Sequence, residues 1–538
     1  MARSWYGHQC HFMVNRPDQI ARARRARVAS VLLPLDPRAA APLHAQVFDG
    51  LRARILAGEL APGARLPSSR QLARDLGVAR VTVLQALDGL AAEGYVVTRA
   101  ASSTRVAPEL PVDLGARLGA RDAPPPPPAR PPRISRVARA LRAGPSGTPP
   151  VGTAPRAFRP GVPALDLFPV ALWARIATRC HARASAALLE GADAAGLPVL
   201  REAIAAHVTA TRGVRCAADQ VFITTGTQPG FDEILRLLVD PGDAVWVEDP
   251  GYLGARRAVI GARARPVPIP VDDQGLDVAA GIARAPRARA VLLAPSHQYP
   301  LGVTLALPRR LALLRWAARA RAVVIEDDYD SEFHHRGRPL TALYGLDEAG
   351  CVVYVGTFSK SMFPGLRIGY VVVPPAVVDT FAAARASLPA PASAMDQASL
   401  AVFLADGHFA THLRRMRAAY RERSEALAAA LAADCGDLLA PAACDTGMQL
   451  VASLRVPVSD RRVAAEAARL GVEVGAISSY GLGRRRRSGL VFGFGGVPPS
   501  TMRAATRSLA RAIEAARYSS PVASGRSGSR DQSLHDPS

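Results

Sequence analysis

The sequence predicts two unlike folded parts: a small three-helix unit closed by a β-hairpin, then a large α/β domain with a mostly parallel sheet. Three observations carry this. Between Leu43 and Ala107, apolar residues recur at helical spacing and then give way to two short β-prone runs. From Phe158 to about residue 518, short apolar runs that end in polar residues, such as "AVWVEDPG", "AVVIEDDYD" and "CVVYVGTFSK", alternate with helical stretches such as "PRRLALLRWAARARA". Between the two lies the proline-rich "DAPPPPPARPPRISRVARALRAGPSGTPPVGTAP".

The 538 residues exceed one ordinary domain and suggest about three or four. A net charge of +22 points to a polyanionic partner such as nucleic acid, although much of it is solvated arginine surface. The six cysteines have no CxxC spacing, so they read as reduced thiols of a cytoplasmic protein and not as a disulfide frame or a metal site. No charge-free apolar run is long enough to span a bilayer, and the N-terminus lacks the apolar stretch of a signal peptide.

Residues 1–41 read as a disordered basic leader or an over-extended start. Residues 42–108 form the first folded unit. Leu43, Val47, Leu51 and Ile55 make one buried helical stripe, and Pro62 with Gly63 turns the chain. Ser68 with Gln71 predicts a capping box at the start of a second helix that Gly77 ends. A third helix begins near Arg80. It turns Val83, Leu87 and Leu90 inward and Arg80, Thr82 and Gln85 outward, and Gly94 stops it. "YVVT" and "TRVA" then pair as a hairpin. Three helices plus a hairpin is a winged helix-turn-helix, whose third helix enters the DNA major groove. Residues 109–157 are a linker, extended where its prolines cluster, in which "RISRVARALRAG" has the composition of a short basic helix. Residues 158–518 are the α/β domain, and residues 519–538 are a disordered tail by composition.

Lys360 is the only lysine in the chain; every other basic side chain that is not histidine is arginine. A guanidinium stays protonated and is a poor nucleophile, whereas a buried lysine amine loses its proton and forms a Schiff base with an aldehyde. An aldehyde cofactor on that amine needs four further things: a phosphate cradle, an acid for a pyridine nitrogen, a donor for a phenolic oxygen, and a flat side chain to stack on the ring. "ITTGTQPG" follows a strand and opens a helix, so Gly226, Thr227 and Gln228 are the cradle candidates. Thr357, Ser359 and Arg367 flank the lysine and add donors. Asp327 and Tyr329 stand two apart in an extended chain and share one face, with Asp328 as the rival acid. Tyr252 in "EDPGY" is the stacking candidate.

The first unit, with "LPSSRQLARDLGV", resembles the GntR family of bacterial repressors. That resemblance implies DNA contacts from Arg70, Arg80 and Thr82, with Arg80 the best candidate for reading a guanine. Two positions depart from the family pattern: Ala79 replaces a capping serine, and the wing tip reads "AASSTR". The second part, with "EDPGY", "SHQYPLGV", "IEDDYDSEF" and "GTFSK", resembles fold-type I pyridoxal-phosphate enzymes of the aspartate aminotransferase kind, which adds the expectation of a smaller α+β lobe at the C-terminal end. Head, linker and α/β domain together, over about residues 42–518, resemble MocR/GabR-type transcriptional regulators. The resemblance implies pyridoxal 5′-phosphate on Lys360, a head-to-tail homodimer on double-stranded promoter DNA, and an amine or amino-acid effector or the cofactor itself as the signal. The transaminases' carboxylate-clamping arginine is replaced, at the matching strand "GLVFGFGG", by Val491, and Gly191 stands where relatives have a tyrosine. The alternative is a working aminotransferase with an appended DNA-binding module. Arg484 to Arg487 read as a solvated run, with an acidic effector or DNA as their other possible partner.

Overall fold

The computed structural model describes residues 31–99, 103–110, 133–143, 156–191, 193–335, 340–385, 387, 392–483 and 487–518. The chain divides into two compact units, at residues 1–132 and 133–538.

In the first unit, α1 (Leu43–Leu56) buries Val47, Leu51 and Ile55 against α3 (Arg80–Ala92). Each such side chain contributes about 1.5–3 kcal/mol when fully buried. Between them, α2 (Ser69–Leu76) starts where the Ser68 hydroxyl accepts the Gln71 N–H, and it ends at Gly77 in the left-handed conformation (φ 66°). The cap is one-sided, contrary to the capping box read from sequence. The Gln71 side chain donates to Asp75 at 2.6 Å and accepts from Arg74 at 2.7 Å, so it is held forward along the helix. Helix α3 has no side-chain cap, because Ala79 offers no oxygen. Strands β1 (Val96–Arg99) and β2 (Ser103–Val106) pair antiparallel as the wing, with Val96 opposite Val106; the residues at its tip, 100–102, lie outside the described residues. Packing starts earlier than the helical periodicity indicates. Val31 is buried in this core, with Leu33 and Leu35 against it, so residues 31–35 do not belong to a disordered leader. A run outside any helix has no helical period to find.

In the second unit, α4 (Arg136–Ala143) is the short basic helix expected in the linker. The main sheet takes β3 (Val221–Thr224), β4 (Ala244–Asp249), β5 (Arg265–Asp272), β6 (Gly275–Leu276), β7 (Ala290–Leu293), β8 (Val323–Asp328), β9 (Val352–Thr357) and β10 (Gly369–Val372) in the order β3-β10-β9-β8-β7-β4-β5-β6. The run from β9 to β5 is parallel; β10 is antiparallel to both its neighbours, and β6 to β5. Alternate residues feed two cores. Val245, Val247, Leu292 and Ile325 face one, while Trp246, Val291, Leu293 and Val324 face the other. Burial on both faces is why these strands read as continuous apolar runs. Helices α5 (Thr227–Leu238) and α6 (Leu253–Gly261) follow β3 and β4, and α4 packs on α6. The C-terminal lobe is a four-stranded antiparallel sheet, β11 (Leu439–Pro441), β12 (Gln449–Leu454), β14 (Leu490–Gly493) and β13 (Gly475–Ala476) in that order. Helices α7 (His408–Cys435) and α8 (Pro499–Tyr518) pack on each other in this lobe. The parallel strands bring the carboxyl ends of β4, β7, β8 and β9 to one edge, where such sheets place ligands. Among the described residues no helix is long and apolar enough to cross a membrane.

Candidate functional site

All ten residues singled out for the cofactor line one cavity of about 1400 Å³ at that edge. Gly226, Thr227 and Gln228 open α5, and Gly226 takes a φ of 112°, outside the range of ordinary side chains. A Cβ on Gly226 would lie 3.7 Å from the Arg367 guanidinium, so the helix N-terminus and this cation converge on one spot. A helix N-terminus and a guanidinium at one spot favour a bound anion. Thr357 and Ser359 adjoin it, tied by a hydrogen bond from the Ser359 N–H to the Thr357 hydroxyl at 3.1 Å. Tyr252 stands at the start of α6 and lines the cavity, with its ring exposed.

Lys360 donates from Nζ to the Gly161 carbonyl at 2.6 Å. Burial lowers its pKa, against the pull of Asp330 and Asp327, which favours the nucleophilic amine. At the end of β8 the two rival aspartates separate. Asp328 turns away from the cavity and is ion-paired with Arg212 at 2.7 Å, with the Tyr354 hydroxyl donating to it at 2.7 Å. Burial opposes its charge, but Arg212 prevails and its pKa is lowered. Asp327 faces the cavity, and burial, with Asp328 and Asp330 beside it, raises its pKa to about 8. Its Oδ1 is buried without a hydrogen-bond partner. An acid so placed is satisfied by a protonated ring nitrogen, and a cationic partner would bring its pKa back down.

The sequence reading missed several lining groups. The Tyr299 and Tyr480 hydroxyls meet at 2.8 Å on one wall. Arg159 and Glu473 pair at 2.7 Å. Glu248 is buried, which raises its pKa to about 8 against hydrogen bonds from Ala294 and Gln298. These contacts join positions far apart in the chain, and no local spacing announces them. Val491 is fully buried in β14, and a Cβ on Gly475 would sit 3.3 Å from it and 3.0 Å from the Tyr480 hydroxyl. Gly191 follows the short helix Ala186–Glu190. Arg484 to Arg486 lie outside the described residues. On the first unit, Arg70, Arg80 and Gln85 are exposed and Thr82 is half-buried, with Arg80 Nε donating to the Ser69 hydroxyl at 3.3 Å.

Fold and site define a class: an aminotransferase-type cofactor domain joined to a DNA-binding head. Residues 161–491 match the family of class I and II aminotransferases, and residues 43–106 match the gntR family of bacterial regulatory proteins. The chain belongs to the MocR-type transcriptional regulators, in which these two domains are fused. It is 40% identical to the probable rhizopine catabolism regulatory protein MocR of Rhizobium meliloti, over 90% of this chain and 96% of that one. It is 32% identical to the pyridoxine biosynthesis regulator PdxR of Corynebacterium glutamicum, over 88% and 97%. Among solved structures it resembles LysN, an α-aminoadipate aminotransferase from Thermus thermophilus complexed with N-(5′-phosphopyridoxyl)-L-leucine. There the TM-score is 0.62 and the identity 26%, over 71% of this chain and 96% of that one. The cofactor of this domain is pyridoxal 5′-phosphate.

Proposed function

We propose that this protein is a DNA-binding transcriptional regulator that senses a small amine or amino acid through pyridoxal 5′-phosphate held on Lys360. The observation that carries the reading is the only lysine of the chain, half-buried in the cavity that holds the helix N-terminal anion site and Asp327, whose buried Oδ1 has no partner. Bound there, the cofactor supplies an aldehyde for which Lys360 and an incoming amine compete. Gly226, Thr227, Gln228, Thr357, Ser359 and Arg367 would hold the phosphate, Asp327 would keep the ring nitrogen protonated, Tyr329 would donate to the phenolic oxygen and Tyr252 would cover the ring. An effector regulates DNA affinity by binding two arrangements of the molecule unequally. Arg70, Arg80, Thr82 and Gln85 are the DNA-facing set. The protein acts as a cytoplasmic head-to-tail homodimer.

The test is spectroscopic. Purified protein should be yellow and reducible with borohydride, and Lys360→Ala should be colourless. Failure of the wild type to take up the cofactor would overturn the reading. The lowered pKa of the Lys360 amine also suits turnover, which favours a second reading as an active aminotransferase. Val491, buried where the resemblance places the clamping arginine, weighs against it. Sustained keto-acid production from amino donors would reverse that preference.

A further inference from the structure

Two motifs of the sequence hold residues that the site as described does not use: the histidine of "SHQYPLG" and the last aspartate of "DDYD". The neighbouring parallel strands β7 and β8 bring them together. His297 Nδ1 lies 2.9 and 3.0 Å from the two carboxylate oxygens of Asp330, and both residues are buried. Tyr329 stacks beside the imidazole, with ring centroids 6.0 Å apart and planes 26° apart. Its hydroxyl is 3.3 Å from the same Nδ1 and 3.3 Å from Gln449 Nε2, which reaches in from β12. The backbone is shaped to the pair. A Cβ at Gly447 would collide with His297 Cε1 and fall 2.5 Å from an Asp330 oxygen, so this place admits only glycine.

The hydrogen count decides what this arrangement does. An ionised carboxylate only accepts, so Asp330 fixes the His297 proton on Nδ1. That nitrogen therefore has no lone pair for the Tyr329 hydroxyl. The Gln449 amide also presents N–H to the tyrosine oxygen. With one neighbour donating to its oxygen and the other unable to accept, Tyr329 is left to send its own proton into the cavity.

We infer that His297, oriented by Asp330, is a positioning residue that fixes the Tyr329 hydroxyl as a donor toward the phenolic oxygen of the bound cofactor. It acts through Tyr329 and not on the reacting atoms. The inference rests on the reading of the cavity given above. Asp327, Glu248 and Tyr299 also face Tyr329, while Lys360, His334 and His335 face Asp330 or His297. The test therefore compares variants and does not interpret one pH midpoint alone.

The readout is the pH midpoint of the absorption change of the lysine-bound cofactor in the full-length protein. Donation from Tyr329 stabilises an ionised phenolic oxygen, so losing it raises the midpoint. Tyr329→Phe should raise it by about one pH unit, the tenfold change expected from one hydrogen bond to a charged oxygen. Asp330→Asn removes the charge that holds the histidine proton on Nδ1, so the proton can move to the other nitrogen and leave the Nδ1 lone pair open. The tyrosine then donates to His297, and the midpoint should rise in the same direction. The double variant should shift no further than Tyr329→Phe alone. His297→Asn keeps an N–H at the Nδ1 position and should retain the wild-type midpoint, whereas His297→Leu should shift it. This second pair decides the matter if Asp330→Asn does not fold. Wild-type midpoints in Asp330→Asn or His297→Leu, or additive shifts in the double variant, would overturn the inference while leaving the cofactor on Lys360 intact. A wild type that takes up no cofactor would instead sink the underlying reading.

Discussion

At the scale of single residues, the site is organised by where charge is left uncompensated. Asp327 has its pKa raised by burial from 3.8 to about 8, while Asp328 one residue away is held ionised by Arg212. A carboxyl whose pKa is raised in the folded state stabilises the fold below its unfolded pKa, and that contribution is lost as pH rises through the folded value. Asp327 should thus make the cofactor-free protein lose stability between about pH 4 and pH 8. Melting temperatures of cofactor-free wild type and Asp327→Asn at pH 5 and pH 8 test this: the drop across that range should be smaller in the variant. Glu248, also raised to about 8 and in part by Asp327, acts in the same direction in both proteins, and losing the Asp327 charge only reduces its share, so the sign of the difference stands. An equal drop would mean that Asp327 is ionised or solvated in the free protein. On the DNA side, Arg80 stands exposed at the first position of α3. Arg80→Ala should cost about 1–3 kcal/mol on the preferred sequence and relax preference at one base pair. A uniform loss across sequences in a binding-site selection would assign Arg80 to phosphate instead.

At the scale of elements, helix ends and strand ends do most of the positioning. The uncapped start of α3 is a local weakness in the head. Ala79→Ser should add an acceptor for the first-turn N–H groups and stabilise the head by about 0.5–1 kcal/mol, read as a higher denaturant midpoint. Ser68→Ala should do the reverse at α2, since its hydroxyl accepts the Gln71 N–H. The linker helix α4 is amphipathic: Val137 and Leu141, four apart, are half-buried while its arginines are exposed. Leu141 lines the cofactor cavity, so Leu141→Glu should undock α4 and open the segment to limited proteolysis. Elements of this kind were legible in the sequence wherever a period or a cap announced them: the stripe of α1, the glycine end of α2, the doubly buried strands and the α4 helix. Asp327 and Tyr329 were legible because residues two apart in an extended chain share a face, although β8 itself ends at Asp328. His297, Asp330 and Gln449 were not, because their meeting depends on the order of β7 and β8 in the sheet and on the lobe that carries β12. Sequence spacing encodes neither. Gly447 likewise shows its purpose only against the imidazole that it admits.

At the scale of the whole molecule, the charge of +22 and the attachment of a DNA-binding head set what association with DNA must look like. Arginine contacts to phosphate release counterions, so affinity should fall steeply as salt rises. The proposed homodimer adds a stronger expectation. Residues 111–132 join the head to α4, and 22 residues fully extended reach at most roughly 70–80 Å. Two heads tethered within that reach hold each other at high effective concentration once one has bound. Full-length protein should therefore protect two half-sites in a footprint. Scrambling one half-site should weaken binding by about 100-fold or more, far beyond the loss of non-specific contacts. Moving one half-site by half a helical turn, about five base pairs, should weaken binding more than moving it by a full turn, because the second head must then reach the opposite face of the duplex. Competition binding with these duplexes at fixed salt gives the measurement. If a single half-site binds as tightly as the pair, the heads act singly, and the effector cannot work through the spacing between them.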